Sequence, residues 1–190
     1  MSILATLLAV GTMSLPDVSR RFMFSAMPAP VAGMPTAVEY FVDPDGVVID
    51  CAVLSPHVRE RRAADICDDA IGESVGSGAT NHRDERAYGV VTLVSSTAGS
   101  IRDLPPDMEV AVSQMPGRSS RQHVLLMVSI DELGRVVQCM QMPQQDLELS
   151  QVACTQSQAH RFRVRNDRQG EAVGYVTALN IDFVRESDGD

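Results

Sequence analysis

Four cysteines, four histidines and two matched aspartates are the side chains of this 190-residue chain with chemistry to offer. The cysteines stand in a repeat, Val42 to Cys67 (VDPDGVVIDCAVLSPHVRERRAADIC) and Ile130 to Cys154 (IDELGRVVQCMQMPQQDLELSQVAC). In each copy an aliphatic-Asp pair is followed by Gly three residues after the Asp, Cys five beyond that, and a second Cys 16 or 15 positions later. Four cysteines admit three pairings. If each copy descends from an ancestor that folded with its own bridge, the pairs are Cys51 with Cys67 and Cys139 with Cys154. Closing a loop of about 15 residues is worth about 3 kcal/mol in the chain-entropy account. Zinc is the rival chemistry, with Cys51, Cys67, His57 and His82 as one set and Cys139, Cys154, His123 and His160 as the other. The tight C-x2-C pairs that preorganise zinc ligands do not occur. Four reduced, buried cysteines are the third option. They leave the matched spacing unexplained.

Catalysis has weaker claims. His57 lies near Arg59 and Glu60, His82 near Asp84 and Glu85, and His160 beside Arg161, while His123 opens an apolar run. No G-x-S-x-G elbow, H-E-x-x-H helix or phosphate-binding loop accompanies them. Asp43 and Asp131 fit hairpin turns closed by side-chain to backbone hydrogen bonds better than general bases. The cysteines also lack the close spacing at a helix N-terminus that activates thiols, which favours structural bonds over redox work. Methionines such as Met108, Met115, Met127, Met140 and Met142 read as adaptable core filling in a chain with no Trp. No catalytic, cofactor or metal site is expected. The four cysteines are the site residues.

The net charge of -9 repels phosphate backbones and anionic membranes, so nucleic acid is not an expected partner. The apolar run Ile3 to Val10 is too short to span a bilayer and has the length of a signal peptide. Bridged cysteines and an export signal together point to an oxidising compartment.

Around the chemistry the pattern predicts two similar sets of elements. In the second copy, His123 to Ile130 is a strand, Asp131 to Gly134 a turn, and Arg135 to Met142 the return strand with Cys139 inside it. Asp146 caps a helix running to about His160 that carries Cys154, and Val173 to Val184 alternates as a closing strand. In the first, Ala37 to Val42 and Val47 to Leu54 flank a turn at Asp43 to Gly46. Ser55 then caps a helix with Pro56 at its first position, and Tyr88 to Ser95 closes the unit. Met108 to Val112 is a short extra strand.

This order of strand, D-x-x-G turn, Cys-bearing strand, helix ending in Ala-Cys and Y-V-T strand resembles the TonB C-terminal domain family. Ile130, Asp131, Gly134, Cys139, Leu149, Ala153, Cys154, Phe162, Asp167, Gly170 and Tyr175 stand at the positions that carry the likeness. The first copy matches at Val42, Asp43, Gly46, Cys51, Cys67 and Tyr88, and departs at Arg62. The resemblance implies periplasmic modules that bind an extended peptide or envelope protein by β-strand addition, without energy transduction. The expected fold class is therefore α+β, two tandem β-β-α-β modules, each a small antiparallel sheet with one helix packed on it. Residues 1–14 read as a signal peptide, 15–35 as an irregular lead-in, 36–95 and 108–185 as the modules, 96–107 as a linker and 186–190 as a tail. Two alternatives stand beside this. The protein is a small periplasmic enzyme or redox protein of unknown substrate, or the two halves pair into one continuous sheet and leave no edge to offer.

Overall fold

A computed structural model describes residues 13–26, 35–95, 106–117, 119–142 and 145–185. The elements run β1 (Asp17–Val18), α1 (Arg20–Ala26), β2 (Thr36–Val42), β3 (Val48–Val53), α2 (Glu60–Ala70), β4 (Gly76–Ser77), β5 (Ala79–Thr80) and β6 (Arg86–Ser95). They continue with β7 (Met108–Val112), β8 (Arg121–Ile130), β9 (Val136–Gln141), α3 (Leu147–Ala159), β10 (Arg165–Asn166), β11 (Ala172–Val173) and β12 (Tyr175–Arg185).

One turn device is used four times. Asp43, Asn81, Asp131 and Asp167 each place Oδ1 to accept backbone N–H groups two and four residues later, at 2.8 to 3.1 Å. Each turn needs a left-handed residue three positions after the acceptor. Gly46, Gly134 and Gly170 supply it at φ 82, 75 and 84°, and Asp84 at φ 58°. The repeated aspartates are thus turn formers, and Asn81 does the same work in a hairpin where the sequence pattern is weaker.

The helices show which local signals win. Asp146 caps α3 as its position predicts, accepting from Leu149 N at 3.0 Å. Ser55 does not cap α2. It is buried, its Oγ accepting from Ala37 N at 2.8 Å and donating to Pro35 O at 3.2 Å, so the hydroxyl serves the start of β2. The helix begins at Glu60 after Arg59, with no side-chain cap.

The separate modules are overturned. The chain is mostly β, and its main sheet is a single mixed one of eight strands, ordered β3-β2-β6-β12-β8-β9, with β5 on β6 and β7 on β12. The halves join through a parallel pairing, Tyr88 opposite Tyr175 and Gly89 opposite Val176, where the expectation had two small antiparallel sheets. Further along, β12 diverges from β6 and takes β7 in parallel, Met108 to Val112 against Ile181 to Arg185. Two short ladders stand apart, β1 with β4 and β10 with β11.

Strand alternation explains why the helices do not share a face. Val38, Tyr40 and Val42 of β2 pack with Ile66 and Ala70 of α2 and with Phe22 of α1. Phe41 between them joins Leu149 and Ala153 of α3, Tyr175 of β12 and the even-numbered residues of β8. So α1 and α2 cover one face of the first half, and α3 covers the opposite face of the second.

Each uncovered face is then closed by a segment from elsewhere. Arg165 on β10 lies over the Phe41 ring at 5.6 Å and pairs with Glu39 of β2 and, at 3.3 Å, with Asp50 of β3. On the other face, Met13, Ala79, Met127 and Val176 form a third core, with Leu15, Met140 and Met142 against it. The stretch expected as irregular lead-in therefore holds β1 and α1. Gly89 lets it pass, since a Cβ there would sit 2.7 Å from Pro16 Cγ and 2.9 Å from Ala79 Cβ. Of the segment read as a signal peptide, residues 1–12 lie outside the described residues. Met13 is buried and Ser14 exchanges backbone hydrogen bonds with Thr80, so the fold holds those last two. Most of the expected linker and all of the expected tail likewise lie outside the described residues.

Candidate functional site: the outer edge of β9

Both disulfides join a strand to a helix. Cys51 of β3 is bonded to Cys67 of α2 with Cα atoms 5.4 Å apart, and Cys139 of β9 to Cys154 of α3 at 5.9 Å. No cysteine is free, and the cysteines of both candidate zinc sets are joined in these bonds. The two bonds fit a protein exported to an oxidising compartment, and no helix among the described residues is long and apolar enough to cross a membrane.

The bridged strands are also the ends of the main sheet's strand order. Their phase is the same. Each follows an Asp-x-x-Gly turn and a bulge, at Phe41/Val42 and Ser129/Ile130, and each then pairs its cysteine with the facing strand, Cys51 with Tyr40 and Cys139 with Val128. Leu54 N donates to Ala37 O at 2.9 Å, and alternation from that pair turns the backbone groups of Cys51 away from β2. The matching position turns those of Cys139 away from β8.

The two strands differ in what meets these outward groups. On β3, Val48 N donates to Glu73 O and Val48 O accepts from Gly72 N, both at 2.9 Å, because the chain leaving α2 returns along the edge. Cys51 N donates to Asp50 Oδ1 at 2.9 Å. The next residue toward the free end, Val53, lies where Leu54 turns back to β2. On β9 none of these contacts has a counterpart among the described residues. The chain leaving α3 makes a backbone hydrogen bond to this hairpin at its turn, Phe162 N to Gly134 O at 2.9 Å. Gln138 occupies the place of Asp50. Val137 is 53% exposed beside it, an apolar side chain at an unpaired edge. An extended segment can add to such a strand through main-chain hydrogen bonds, which is the chemistry of strand addition.

The histidines do not converge. His57 Nε2 lies 3.4 Å from Thr36 Oγ1, and His160 packs edge-on to Phe162 with ring centres 4.7 Å apart. His123 Nδ1 is 2.9 Å from Asp182 Oδ1, a pair dictated by their cross-strand register, and Arg121 approaches the same carboxylate at 3.3 Å. That dyad resembles half of a catalytic triad, but no described hydroxyl or thiol is hydrogen-bonded to His123. Of the two cavities described, His82 lines one and no second histidine lines either.

Two carboxyl groups are electrostatically unusual, and both support the sheet. Burial pulls Asp131 up, but hydrogen bonds from the Arg135 side chain, the Arg135 and Leu133 amides and the Arg135 charge outweigh it and hold the carboxyl below its ordinary value. Asp107 precedes β7. Its carboxylate is tied inward to Asn180 N at 2.7 Å, and desolvation pushes it up, opposed by that N–H and assisted by the charge of Glu39.

Compared with known protein families, with curated proteins and with solved structures, the chain matches none. The open edge of β9 was not legible in the sequence. Its one signal is a difference between the copies, Gln138 where the first has Asp50, and its meaning depends on knowing which strands lie outermost.

Proposed function

We propose that this is an exported, periplasmic, non-enzymatic binding or scaffolding protein of the cell envelope that receives an extended segment of another protein as an added strand on β9. The observation that carries the reading is the contrast of edges among the described residues, β9 unpaired along its outer side and β3 largely occupied. The resemblance to the TonB C-terminal domain family supports the mode of binding. The disulfides support the compartment, and the scattered histidines agree with a task other than catalysis.

The free edge is marked for use by what it lacks. Proteins blunt edges with inward charges, covering segments or short strands. β3 carries an acid and a covering segment. The six residues of β9 carry no charged side chain.

A display library of random extended peptides, selected against the oxidised full chain, tests this directly. Selected peptides should slow amide exchange at Val136, Cys139 and Gln141 and leave Cys51 unchanged. Protection centred on β7, on β3 or on the far face of the sheet would refute strand addition at β9, as would failure to select any peptide.

A further inference from the structure

A histidine with a buried, unpartnered ring nitrogen and a set of sulfur side chains line one cavity along the outer edge of β9, beside its bond to α3. His82 Nδ1 is buried with no hydrogen-bond partner among the described residues. Leaving such a nitrogen unserved costs about 1–3 kcal/mol, so its persistence calls for a reason. His82 lines a surface cavity of about 350 Å³ together with Met13, Gln138 and Met140, and the Cys139–Cys154 bond borders it.

Each donor is held there by its own device. Met13 precedes Ser14, whose backbone exchanges two hydrogen bonds of 3.1 Å with Thr80 and whose Oγ lies 2.8 Å from Thr80 Oγ1. His82 follows by two residues, inside the turn that Asn81 closes with Arg83 N at 2.8 Å and Glu85 N at 3.1 Å. Met140 stands on β9 directly opposite Met127 of β8. The same bridge therefore brings the thioether of Met13 and the imidazole of His82 to β9, although the two are 69 positions apart in the chain.

The donor set selects the ligand. No group of three or more His, Cys, Asp or Glu among the described residues is placed to hold a metal, so hard cations and zinc find no ligands. The neighbouring cysteines are consumed in a disulfide. What remains is neutral and soft, one imidazole nitrogen and two thioethers, with Met127 and Met142 packed in the same cluster. Thioether and imidazole ligands favour Cu(I) among biological metals. Packing accounts for the methionines, and a ligand bound beside them would give His82 Nδ1 the partner it lacks among the described residues. We propose that Met13, His82 and Met140 form a binding site for a soft monovalent metal ion, Cu(I).

The oxidised full chain, with ascorbate keeping copper monovalent and thiol titration confirming both disulfides intact, is titrated with Cu(I) against bicinchoninate. One equivalent should be retained per chain. His82→Gln and Met140→Leu should each weaken retention about tenfold or more, since even outer-shell changes at metal sites cost about 10–100-fold. Met115→Leu, in the core on the other face, should change nothing. Ag(I) titrated into wild-type protein carrying 13C-methyl methionine should shift the methyls of Met13 and Met140 and spare Met115, a readout that stands even if a variant fails to fold. Loss of all copper to the chelator, retention undiminished in both variants, or methyl shifts confined to other methionines would each overturn the site.

Discussion

The two ends of the sheet are built from the same local sequence and finish in opposite conditions. β3 and β9 share a turn, a bulge, a cysteine phase and a bond to the following helix, yet among the described residues β3 is closed over much of its outer side and β9 is open. Two small differences produce this. After α2 the chain runs back along β3 through Gly72 and Glu73, whereas after α3 it crosses the face that α3 covers toward the first half, where Arg165 closes over Phe41. Asp50 caps the outward N–H of Cys51, and Gln138 has no such bond to Cys139 N among the described residues. An edge is thus a property of the segment leaving the helix as much as of the strand itself.

The largest way to test that contrast is to cut the staples one at a time. The loops are nearly equal, 16 and 15 residues, so chain entropy predicts similar losses of about 2–5 kcal/mol for Cys51→Ala with Cys67→Ala and for Cys139→Ala with Cys154→Ala. The local consequences should differ. Without its bond β3 keeps two backbone ties to the segment after α2, while β9 keeps, among the described residues, its pairing with β8 and the side-chain packing of α3 and of the third core. Native-state hydrogen exchange should show β9 opening well below the global unfolding energy in its double variant and β3 opening with the whole in the other. Equal local opening would remove the distinction.

Arg165→Ala comes next. The guanidinium is buried, 7% exposed, and reaches from the second half to Glu39 and Asp50 of the first. Removing one side of a buried pair costs about 3–5 kcal/mol, and the lower end applies because Asp50 is half exposed. Urea unfolding should show a lower midpoint with the slope preserved. A loss below about 0.5 kcal/mol, the size of an ordinary surface change, would mean that the parallel pairing and the shared core around Phe41 hold the halves without Arg165.

The seven longer strands, and α3, were legible from period and turn chemistry, because those are local, whereas the two-residue strands β1, β4, β5, β10 and β11 were not. Met108 to Val112, the Asp146 cap and the hairpins at Asp43 and Asp131 needed only near neighbours. Assembly was not legible. The join at Tyr88 and Tyr175 rests on two parallel residue pairs between strands 87 positions apart, and nothing in either strand's alternation distinguishes that partner from another half-buried edge. Ser55 misled for a related reason. A serine before a proline is a good helix start until a buried backbone N–H, Ala37 N, needs the same oxygen. The proposed binding edge and the Met13, His82 and Met140 cluster were hidden for the same cause, since both depend on how distant segments meet once the halves share one sheet.

A smaller change transplants the guard. Gln138→Asp should give Cys139 N the carboxylate partner that Cys51 N has, with a stability change within about 0.5 kcal/mol. Peptides selected on the wild type should then bind weakly or not at all, read by calorimetry. If binding is undiminished, the outward N–H of Cys139 takes no part in recognition, and the comparison of edges loses its functional meaning.

The smallest effect separates the two turns that launch these strands. Asp43 is followed four residues later by Val47 and takes its arginine from across the fold, Arg168 at 3.2 Å, whereas Asp131 has Arg135 at that position, 2.7 Å away. The Asp131 carboxyl is held below its ordinary value in the folded protein by the hydrogen bonds and charge of Arg135. A lowered folded value means that the unfolded chain takes up the proton first. The stabilisation is therefore complete above the unfolded value, near pH 4, and is lost as pH falls through the lowered folded one. Urea midpoints taken downward from pH 5 should decline more steeply in the wild type than in Asp131→Asn over that acid window, and the two should run parallel above it. Since Asp131 begins the hairpin that ends in β9, the same series followed by exchange at Val136 tests whether the open edge loosens first as the turn is protonated. Curves that stay parallel throughout would show that Arg135 contributes nothing to the turn beyond the backbone bonds that all four copies share.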